Sequence, residues 1–600
     1  MMLNYPLLLE NGIGGLRRKL EAKLAENPEN SFHRAGLRCL DIFVNCAEHE
    51  RQEALRLAET ASPERRRQLL RMAEGLEAVK DRPPENFHDA MQLFWLYALL
   101  AGVINYGRLD DYLGPYLARD LETGVLSEDE AYEYIKSLWT MIENRRTTVN
   151  GRIIVGGYGR KHPKEADVFL RLALRVSKDV RYVEPQFTLR ITKDMPEDIF
   201  DMAMESLGAG ATYPTLYNDD VNVPAVARAM RVDMETAEQY VPFGCGEFVI
   251  AGQSTGTPNT CINLLKLLTI ALNEGVDPMD GIKKSGPVPM KPVSELKTFD
   301  ELYAQYKALL EYYFDLSVKA QTYSYEVMDR EVSFLFTSLL MDDCIERGKA
   351  VLDGGVRYLG GTNETYGNIN VSDSLSAIKH FVYDTHEYTL QQIVDATRAN
   401  FEGYELMRRR LWEYDKYGND IPEIDDFANE FFEYVANGIR DRGIAAGMQY
   451  YLIVISNNQL NTEWGRRTGA SPDGRYAGQY MNPANNPQGG ASRNGPTAVL
   501  NSLARFDAGL HGGSVQNIKF STNFFRENRD KIKAMFKTYF KRGGCHVMVT
   551  VIDKGVLEKA RAKPEDYEDL IVRVSGFSAV FVHLEPDVQD ELMSRVMYDE

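Results

Sequence analysis

The chain has 600 residues and a mass of 68.0 kDa, and 44% of its residues are hydrophobic, so it can bury a large core. Its 87 acidic residues against 69 basic ones give a net charge of -18, which argues against a nucleic acid or an anionic membrane as partner. The longest apolar stretch, from Leu93 to Ile104, falls short of the ~20 residues of a membrane span and predicts a buried helix instead. The N-terminus lacks a signal-peptide pattern, so we expect a cytoplasmic protein.

Cysteine and histidine spacing argues against a metal centre. The nine histidines are dispersed without an HExxH pattern, and the six cysteines show no CxxC spacing. A disulfide framework, a structural zinc site and a cysteine-ligated iron–sulfur cluster are therefore not expected, and any chemistry at sulfur must use single cysteines. The cysteines are Cys39, Cys46, Cys245, Cys261, Cys344 and Cys545.

The first third of the chain predicts helices. The first 80 residues are rich in Leu, Ala, Glu and Arg, and Pro83 and Pro84 then separate them from an apolar helix between about Phe87 and Ile104. Ser127 and the glutamate three residues later form a capping box, which predicts the start of another helix that runs to about residue 142.

Short strand-like runs then alternate with helices. They cover residues 152–155, 186–191, 248–251 and 546–552, and this alternation predicts an α/β architecture with ten or so crossovers. A large α/β barrel is the natural closed form of such a chain.

The clearest change of composition lies between about Arg466 and Gly495, where Gly, Pro, Asn and Ser predict a long loop or a domain joint. A helix near residues 497–505 follows, and another ends near Ala562. The next apolar, strand-like run is interrupted by Gly576, and an amphipathic helix after Pro586 closes the chain. On pattern alone, a glycine within a strand indicates a bulge or a close approach of backbones.

Two glycine motifs carry little weight. Gly252, Ser254 and Gly256 match G-x-S-x-G, with an apolar run before them and a predicted helix from about Asn259 after them, as in serine hydrolases. Such a short pattern arises readily by chance in a chain with 47 glycines. The segment 156–159, Gly-Gly-Tyr-Gly, lacks the third glycine of a dinucleotide loop, and no phosphate-binding P-loop motif occurs.

The segment Gly-Cys245-Gly-Glu247 is more informative. Flanking glycines permit a close approach to the cysteine, and a carboxylate two residues on can point toward the same cavity. Taken alone, the segment favours a buried cysteine beside a turn.

Residues 567–581, Tyr-Glu-Asp-Leu-Ile-Val-Arg-Val-Ser-Gly576-Phe-Ser-Ala-Val-Phe, closely resemble the signature of glycyl radical enzymes, the family of pyruvate formate-lyase and glycerol dehydratase. The Cys245 segment resembles that family's thiyl-forming loop. Further blocks resemble the family in family order, so the resemblance runs from about residue 83 to 600, behind an N-terminal region shorter than in most relatives. These blocks lie at residues 107–115, 217–220, 271–275, 472–475, 493–501 and 564–567.

The resemblance implies a helix-surrounded, ten-stranded α/β barrel in which the Cys245 loop and the Gly576 loop meet. It implies a barrel domain over residues 1–472 and a glycine radical domain over residues 473–600. Gly576 would store a radical, installed by a separate radical-SAM activating enzyme, and Cys245 would form the thiyl that takes hydrogen from a small substrate. No bound cofactor or metal is implied, and a homodimer is compatible with a family in which dimers are frequent.

Glu247 points to a branch of the family. The Cys-x-Glu pattern is similar to the eliminating branch, which includes glycerol, propanediol and hydroxyproline dehydratases and choline trimethylamine-lyase, and there the carboxylate acts as general base. Diol dehydratases carry an aspartate about fourteen residues beyond the cysteine, where this chain has Asn259, so Asn259 is a candidate substrate-binding residue and glycerol is not the expected substrate.

The resemblance therefore implies a lyase that removes water, an amine or a sulfur group from a small polar molecule. A carbon–carbon lyase or decarboxylase of the same family is the nearest alternative. Acetyl transfer to coenzyme A is disfavoured because glycine, not a second cysteine, follows Cys245. A non-catalytic relative is a further alternative, against which the retention of Gly576, Cys245 and Glu247 argues.

Overall fold

A computed structural model of the chain describes residues 1–147, 151–244, 246–455 and 459–599. Helices dominate it, and strands alternate with them from residue 105 onward. The helices are α1 (Tyr5–Glu26), α2 (Ser31–Ala58), α3 (Pro63–Val79), α4 (Phe87–Leu100), α5 (Leu109–Glu122), α6 (Glu128–Asn144), α7 (Pro163–Val180), α8 (Glu197–Gly208), α9 (Asp219–Met230), α10 (Met234–Glu238), α11 (Leu264–Leu272), α12 (Phe299–Val332), α13 (Leu335–Leu339), α14 (Cys344–Arg347), α15 (Asn368–Ile378), α16 (Leu390–Arg398), α17 (Glu405–Glu413), α18 (Pro422–Ala445), α19 (Leu460–Arg466), α20 (Gly495–Leu503), α21 (Thr522–Glu527), α22 (Arg529–Lys541), α23 (Lys554–Ala562) and α24 (Pro586–Ser594).

The strands are short, and most are buried along their whole length, as expected for strands covered on both faces. They are β1 (Asn105–Arg108), β2 (Arg152–Gly156), β3 (Gln186–Ile191), β4 (Thr215–Asn218), β5 (Tyr240–Phe243), β6 (Glu247–Ile250), β7 (Pro258–Asn263), β8 (Gly360–Tyr366), β9 (Tyr450–Ile455), β10 (His511–Ser514), β11 (Asn517–Phe520), β12 (His546–Val551), β13 (Ile571–Arg573), β14 (Ser578–Val580) and β15 (Met597–Tyr598).

Strand pairing produces two main sheets. The larger has the order β1-β2-β3-β4-β12-β11-β15, and all its neighbours are parallel except β4 and β12, which run antiparallel. The smaller, β10-β9-β8-β7, is entirely parallel. The hairpins β5–β6 and β13–β14 complete the set. The predicted helix-rich α/β fold is confirmed, whereas closure into a ten-stranded barrel stays a prediction.

Most elements predicted from local pattern are present. Helices α1 to α3 fill the first 80 residues, and Ser127 caps α6 in a reciprocal capping box with Glu130. The predicted strands correspond to β2, β3, β6 and β12. The helix predicted over Phe87 to Ile104 ends at Leu100, because Gly102 adopts a left-handed φ of 66° and the chain then enters β1.

One predicted element is wrong. The helix expected from about Asn259 is the strand β7, which pairs with β8, and helix α11 begins only after it. The side chain of Asn263 marks the true start of that helix, because it accepts the backbone N–H of Lys266 at 2.9 Å.

The Gly- and Pro-rich segment between α19 and α20 is a loop, as predicted, with a single isolated bridge between Ser471 and Arg475. The fully buried guanidinium of Arg475 donates to the carbonyls of Gly465 and Gly469 at 2.9 and 2.8 Å. The arginine thereby ties the loop to the end of α19, which explains how so long a segment stays ordered against the core.

A separate small core organises the C-terminus. Val572, Val574 and Phe577 of the β13–β14 hairpin pack with Leu557 of α23 and Leu592 of α24. Among the described residues, no helix combines the length and the apolar character that a membrane span requires.

Candidate active site

The residues on either side of Cys245 belong to a buried hairpin. Strands β5 and β6 pair antiparallel with Phe243 opposite Glu247, and the N–H of Gly246 donates to the carbonyl of Phe243 at 2.8 Å. Cys245 itself lies outside the described residues. Its position along the chain is nevertheless bracketed by Gly244 and Gly246, which are both buried.

The glycines on either side of Cys245 make room for functional groups. Both have positive φ, 54° at Gly244 and 124° at Gly246, which favours glycine. A Cβ on Gly244 would lie 2.4 Å from Oε2 of Glu247, and a Cβ on Gly246 would lie 2.9 Å from the hydroxyl of Tyr217. The carboxylate of Glu247, itself buried, and the phenol of Tyr217 therefore reach the backbone immediately beside Cys245.

Gly576 lies in the tight connection between β13 and β14, which pair antiparallel with Arg573 opposite Ser578. Within this connection, the N–H groups of Val574 and Ser575 donate to the carbonyl of Phe577 at 3.1 and 3.2 Å. Gly576 is buried. The strand-like run interrupted by glycine is thus a hairpin whose tip carries that glycine into the protein interior.

Side chains from distant parts of the chain anchor this tip. Nη2 of Arg595, which forms a largely buried ion pair with Glu591, donates to the carbonyl of Val574 at 2.6 Å. The hydroxyl of Ser578 bonds that of Thr212 at 2.9 Å. The first contact ties the connection to the residue after α24, and the second ties β14 to the segment before β4.

Arg152 connects the two hairpin tips. Its Nη2 donates to the carbonyl of Gly244 at 2.7 Å and to the carbonyl of Gly576 at 3.0 Å. The same guanidinium contacts Gln186 and Thr188 on β3, each at 2.8 Å, and it is fully buried. The two glycine carbonyls therefore share one donor atom, so the segment that precedes Cys245 and the residue proposed to carry the radical are neighbours.

Tyr217 and His546 form a wall beside the tips, with ring centroids 4.4 Å apart. Nδ1 of His546 accepts the backbone N–H of Gln516 at 3.3 Å, which leaves the proton of the neutral ring on Nε2. Burial, with the nearby charges of Arg573 and Arg152, lowers the pKa of His546 well below its ordinary value. Burial raises the pKa of Tyr217 to about 12. Both side chains are therefore neutral donors.

Several buried polar atoms near the tips have no hydrogen-bond partner among the described residues. They are the hydroxyls of Tyr217, Ser514 and Ser575 and the Nε2 of His546. Because an unpaired buried polar atom is costly, such a group is typical of a site that binds a polar ligand or water. Sequence reasoning missed Tyr217 and His546 as site residues, although Tyr217 begins one of the family-like blocks and His546 begins a predicted strand.

Asn259 lies on the edge strand β7, half-buried. Its backbone N–H donates to the side chain of Gln321 on α12 at 3.2 Å, and its amide nitrogen has no partner among the described residues. Within the described parts of the chain, no hydrogen bond links Asn259 to either hairpin tip. A role in substrate binding stays a prediction.

The serine-hydrolase motif does not form a nucleophilic site. Ser254 is fully buried, and its hydroxyl accepts the N–H of Ile250 at 2.9 Å and contacts the hydroxyl of Tyr450 at 3.0 Å. Because β7 rather than a helix follows the motif, the strand–turn–helix elbow is absent from this described segment. Ser254 has a structural role.

The glycine cluster at residues 156–159 binds carboxylates of the protein itself. The N–H of Gly156 donates to Asp110 at 2.7 Å, and the N–H of Tyr158 donates to Asp219 at 2.8 Å. Asp219 in turn forms a fully buried ion pair with Arg190 at 2.7 Å. With its amides occupied by fixed negative charges, this cluster is unsuited to a nucleotide phosphate.

Comparison with known proteins bears directly on these two tips. Residues 1–460 match the family model of pyruvate formate lyase-like proteins, and residues 481–582 match the glycine radical model. The chain belongs to the glycyl radical enzymes. The domain boundary expected near residue 472 stays a prediction.

The relatives share both sequence and fold with this chain. Trans-4-hydroxy-L-proline dehydratase of Clostridioides difficile is 28% identical, over 98% of this chain and 78% of the relative. Indoleacetate decarboxylase of Tractidigestivibacter scatoligenes is 29% identical, over 91% of this chain and 67% of the relative. The glycerol-bound B12-independent glycerol dehydratase of Clostridium butyricum superposes with a TM-score of 0.93 at 26% identity, covering 100% of this chain and 79% of that one. All are lyases, and this protein is a lyase of the same family.

Gly513 on β10 packs directly against the backbone of Gly246 in the β5–β6 hairpin, so a side chain at this position should be destabilising. Its φ is 139°, and a Cβ there would lie 2.2 Å from the carbonyl oxygen of Gly246. We expect Gly513→Ala to lower the free energy of unfolding in a denaturant titration by about 1–3 kcal/mol, the cost of a strained backbone position. Gly555→Ala, where the added methyl group meets open space, is the matched control and should be neutral or stabilising. Equal stability of the two variants would contradict the packing described for β10.

Proposed function

We propose that this protein is a glycyl radical eliminase, in which Gly576 stores the radical, Cys245 abstracts hydrogen from the substrate and Glu247 acts as general base. The observation that carries the proposal is the single donor, Arg152, shared by the carbonyls of Gly244 and Gly576. It supports a direct transfer of hydrogen between the residue after Gly244 and the glycine in the other hairpin.

Glycine suits radical storage because its α-carbon carries no side chain. The unpaired electron can therefore spread over a planar unit that includes the flanking amide nitrogen and carbonyl. Burial of Gly576 supports this role, since a radical must be kept from water and dioxygen. The radical would be installed by a separate radical-SAM activating enzyme, because the sequence has no cysteine spacing for an iron–sulfur cluster of its own.

Cys245 would carry the reaction to the substrate. Hydrogen transfer from its thiol to the Gly576 radical gives a thiyl radical. The S–H bond that forms when this thiyl takes a hydrogen atom is comparable in strength to an activated substrate C–H bond. The thiyl takes a hydrogen atom from the substrate carbon and returns it to the product radical at the end. The radical is regenerated in each turnover, so no external oxidant or reductant is consumed.

Glu247 would direct the reaction toward elimination. Once the substrate carbon bears the radical, the carboxylate removes the proton from its hydroxyl group, and the neighbouring carbon–heteroatom bond breaks with its electron pair on the leaving group. The protonated carboxyl can then deliver its proton to that group, so that hydroxide leaves as water. The contact of Glu247 with the backbone beside Cys245 supports action on the same substrate carbon.

The unpartnered donors support a small polar substrate with hydrogen-bond acceptors. Tyr217 and His546 offer neutral O–H and N–H groups near the Cys245 tip, and Asn259 adds an amide that donates as well as accepts. We propose that Asn259 contacts the substrate.

We also propose that the protein acts in the cytoplasm and that it forms a homodimer. Among the described residues, no cluster of His, Cys, Asp and Glu could hold a metal ion.

A carbon–carbon lyase or decarboxylase is the second candidate. The similarity to a relative named as an indoleacetate decarboxylase favours it. In such a reaction a carbon–carbon bond breaks instead of the bond to a leaving heteroatom, so carbon dioxide or another carbon fragment is released.

The radical itself can be tested at Gly576. Anaerobic treatment with a radical-SAM activating enzyme and S-adenosylmethionine should give the wild-type protein a doublet in its electron-spin resonance spectrum. The Gly576→Ala variant should lack this doublet. Air should then cleave the wild-type chain at this residue and release a fragment of about 25 residues, detectable by mass spectrometry. A doublet of unchanged intensity in Gly576→Ala would place the radical elsewhere.

The thiyl role can be tested at Cys245. Cys245→Ser should still acquire the glycyl doublet but should not turn over, because the serine O–H bond is too strong for the glycyl radical to break. Cys261→Ser is the matched control: Cys261 is exposed on β7, and its thiol lies 3.8 Å from Oε2 of Glu364. Loss of turnover in Cys261→Ser, but not in Cys245→Ser, would assign the chemistry to Cys261.

The reaction type can be tested at Glu247 and Asn259 by anaerobic product analysis with diols, amino alcohols, sulfonates and hydroxy or aryl acids. Glu247→Gln should keep the radical and substrate affinity but lower turnover on the order of 10²-fold or more, the usual contribution of a positioned base. Release of water, amine or sulfite supports elimination.

The same product analysis tests Asn259. Glycerol and 1,2-propanediol should be poor substrates of the wild-type enzyme, and Asn259→Asp should raise their turnover relative to the native substrate. For Glu247, by contrast, release of carbon dioxide or formate by an active Glu247→Gln enzyme would favour the carbon–carbon lyase.

A further inference from the structure

We propose that Arg152 is a positioning residue that couples the two radical-bearing hairpins and polarises the carbonyl of the radical-storing glycine. This inference rests on the proposed roles of Gly576 and Cys245. Arg152 lies on β2, far from both hairpins in sequence. Its hydrogen bonds to the carbonyls of Gly244 and Gly576 would position the two hairpins for hydrogen transfer.

The geometry of Arg152 fits a coupling role. Its Nη2 has two hydrogens but three acceptors within 3.0 Å: the side-chain oxygen of Gln186 and the carbonyls of Gly244 and Gly576. The three acceptors must share those hydrogens. A shift of either glycine carbonyl therefore changes the hydrogen bond available to the other, so the positions of the two tips depend on each other.

The remaining contacts of the guanidinium hold it in place. Nη1 donates to Thr188 at 2.8 Å, and Gln186 is itself fixed because its backbone N–H donates to Glu184 at 3.0 Å. Arg152 has no exposed surface, and Glu184 is buried as well. The planar guanidinium is thus held by β3, which Glu184 supports in turn. Its Nη2 also reaches the carbonyls of the two hairpin tips.

The charge of Arg152 has an electronic consequence. A glycyl radical is stabilised when its electron is shared between the amide nitrogen, which donates electron density, and the carbonyl, which withdraws it. A cationic donor 3.0 Å from the Gly576 oxygen strengthens that withdrawal, and the buried site screens the charge poorly. Arg152 should therefore stabilise the stored radical as well as position it.

Hydrogen exchange at Gly576 measures the coupling without any substrate. In D2O the Cys245 thiol becomes S–D, the glycyl radical takes that deuterium, and the return transfer can leave deuterium on the α-carbon. The doublet of the wild-type protein should therefore collapse as the α-hydrogen is replaced. In Arg152→Gln we expect a doublet that collapses at least about 10-fold more slowly, because small misplacements of reacting groups are costly.

Two further variants separate coupling from folding. Thr188→Val removes one acceptor of Arg152 but leaves both glycine contacts, so it should slow exchange much less than Arg152→Gln does. Arg152→Lys keeps the charge but not the planar fork, and it should restore part of the exchange rate lost in Arg152→Gln. Exchange in Arg152→Gln at the wild-type rate, or an equal slowing in Thr188→Val, would overturn the coupling role.

A measurement on the wild-type protein does not depend on how any variant folds. With 15N-labelled arginine, electron–nuclear double resonance of the glycyl radical should show a nearby arginine nitrogen. Absence of this coupling in a sample with a confirmed doublet would overturn the polarising contact. A wild-type doublet that never collapses in D2O would overturn the coupling, whereas absence of any wild-type doublet would instead refute the proposed radical at Gly576.

Discussion

A single buried guanidinium holds the candidate site together. A fully buried positive charge needs hydrogen-bond acceptors, and the two terminal nitrogens of Arg152 find theirs in two side chains of β3 and in the carbonyls of Gly244 and Gly576. The dependence is mutual. The hairpins need a donor for carbonyls that turn inward, and the buried guanidinium needs acceptors for the hydrogens of Nη2.

Close backbone approach is the second constraint on the site. A side chain at Gly244 would displace the carboxylate of Glu247, and one at Gly513 would collide with the carbonyl of Gly246. Glycines at these positions let the Cys245 hairpin lie between β10 and the functional side chains. This explains why a cysteine flanked by glycines is an informative pattern only when side chains pack onto it: Gly244 makes room for Glu247, and Gly246 makes room for Tyr217.

Local pattern predicted much of this fold, and long-range contacts set the limit of that prediction. The capping box at Ser127 and the strand-like runs that form β2 and β3 depend on neighbouring residues, and the sequence predicts them. The strand β7 was mistaken for a helix because its partner, β8, lies about a hundred residues further on. The resemblance points to Gly576 and Glu247 as site residues, whereas the sequence does not point to Arg152, because Gly576, whose carbonyl it contacts, is 424 positions away.

The protonation states around the hairpin tips bear on which group can move a proton. Tyr217, with a pKa of about 12, and His546, with a pKa far below its ordinary value, both stay neutral near pH 7. Burial raises the pKa of Glu184 to about 7, but its two carboxylate oxygens both accept hydrogen bonds from Gln186. Glu247 is the carboxylate in contact with the backbone beside Cys245. With Tyr217 and His546 as neutral donors, the carboxyl group of Glu247 is placed to take a proton from a substrate and to return it to the leaving group, as the proposed elimination requires.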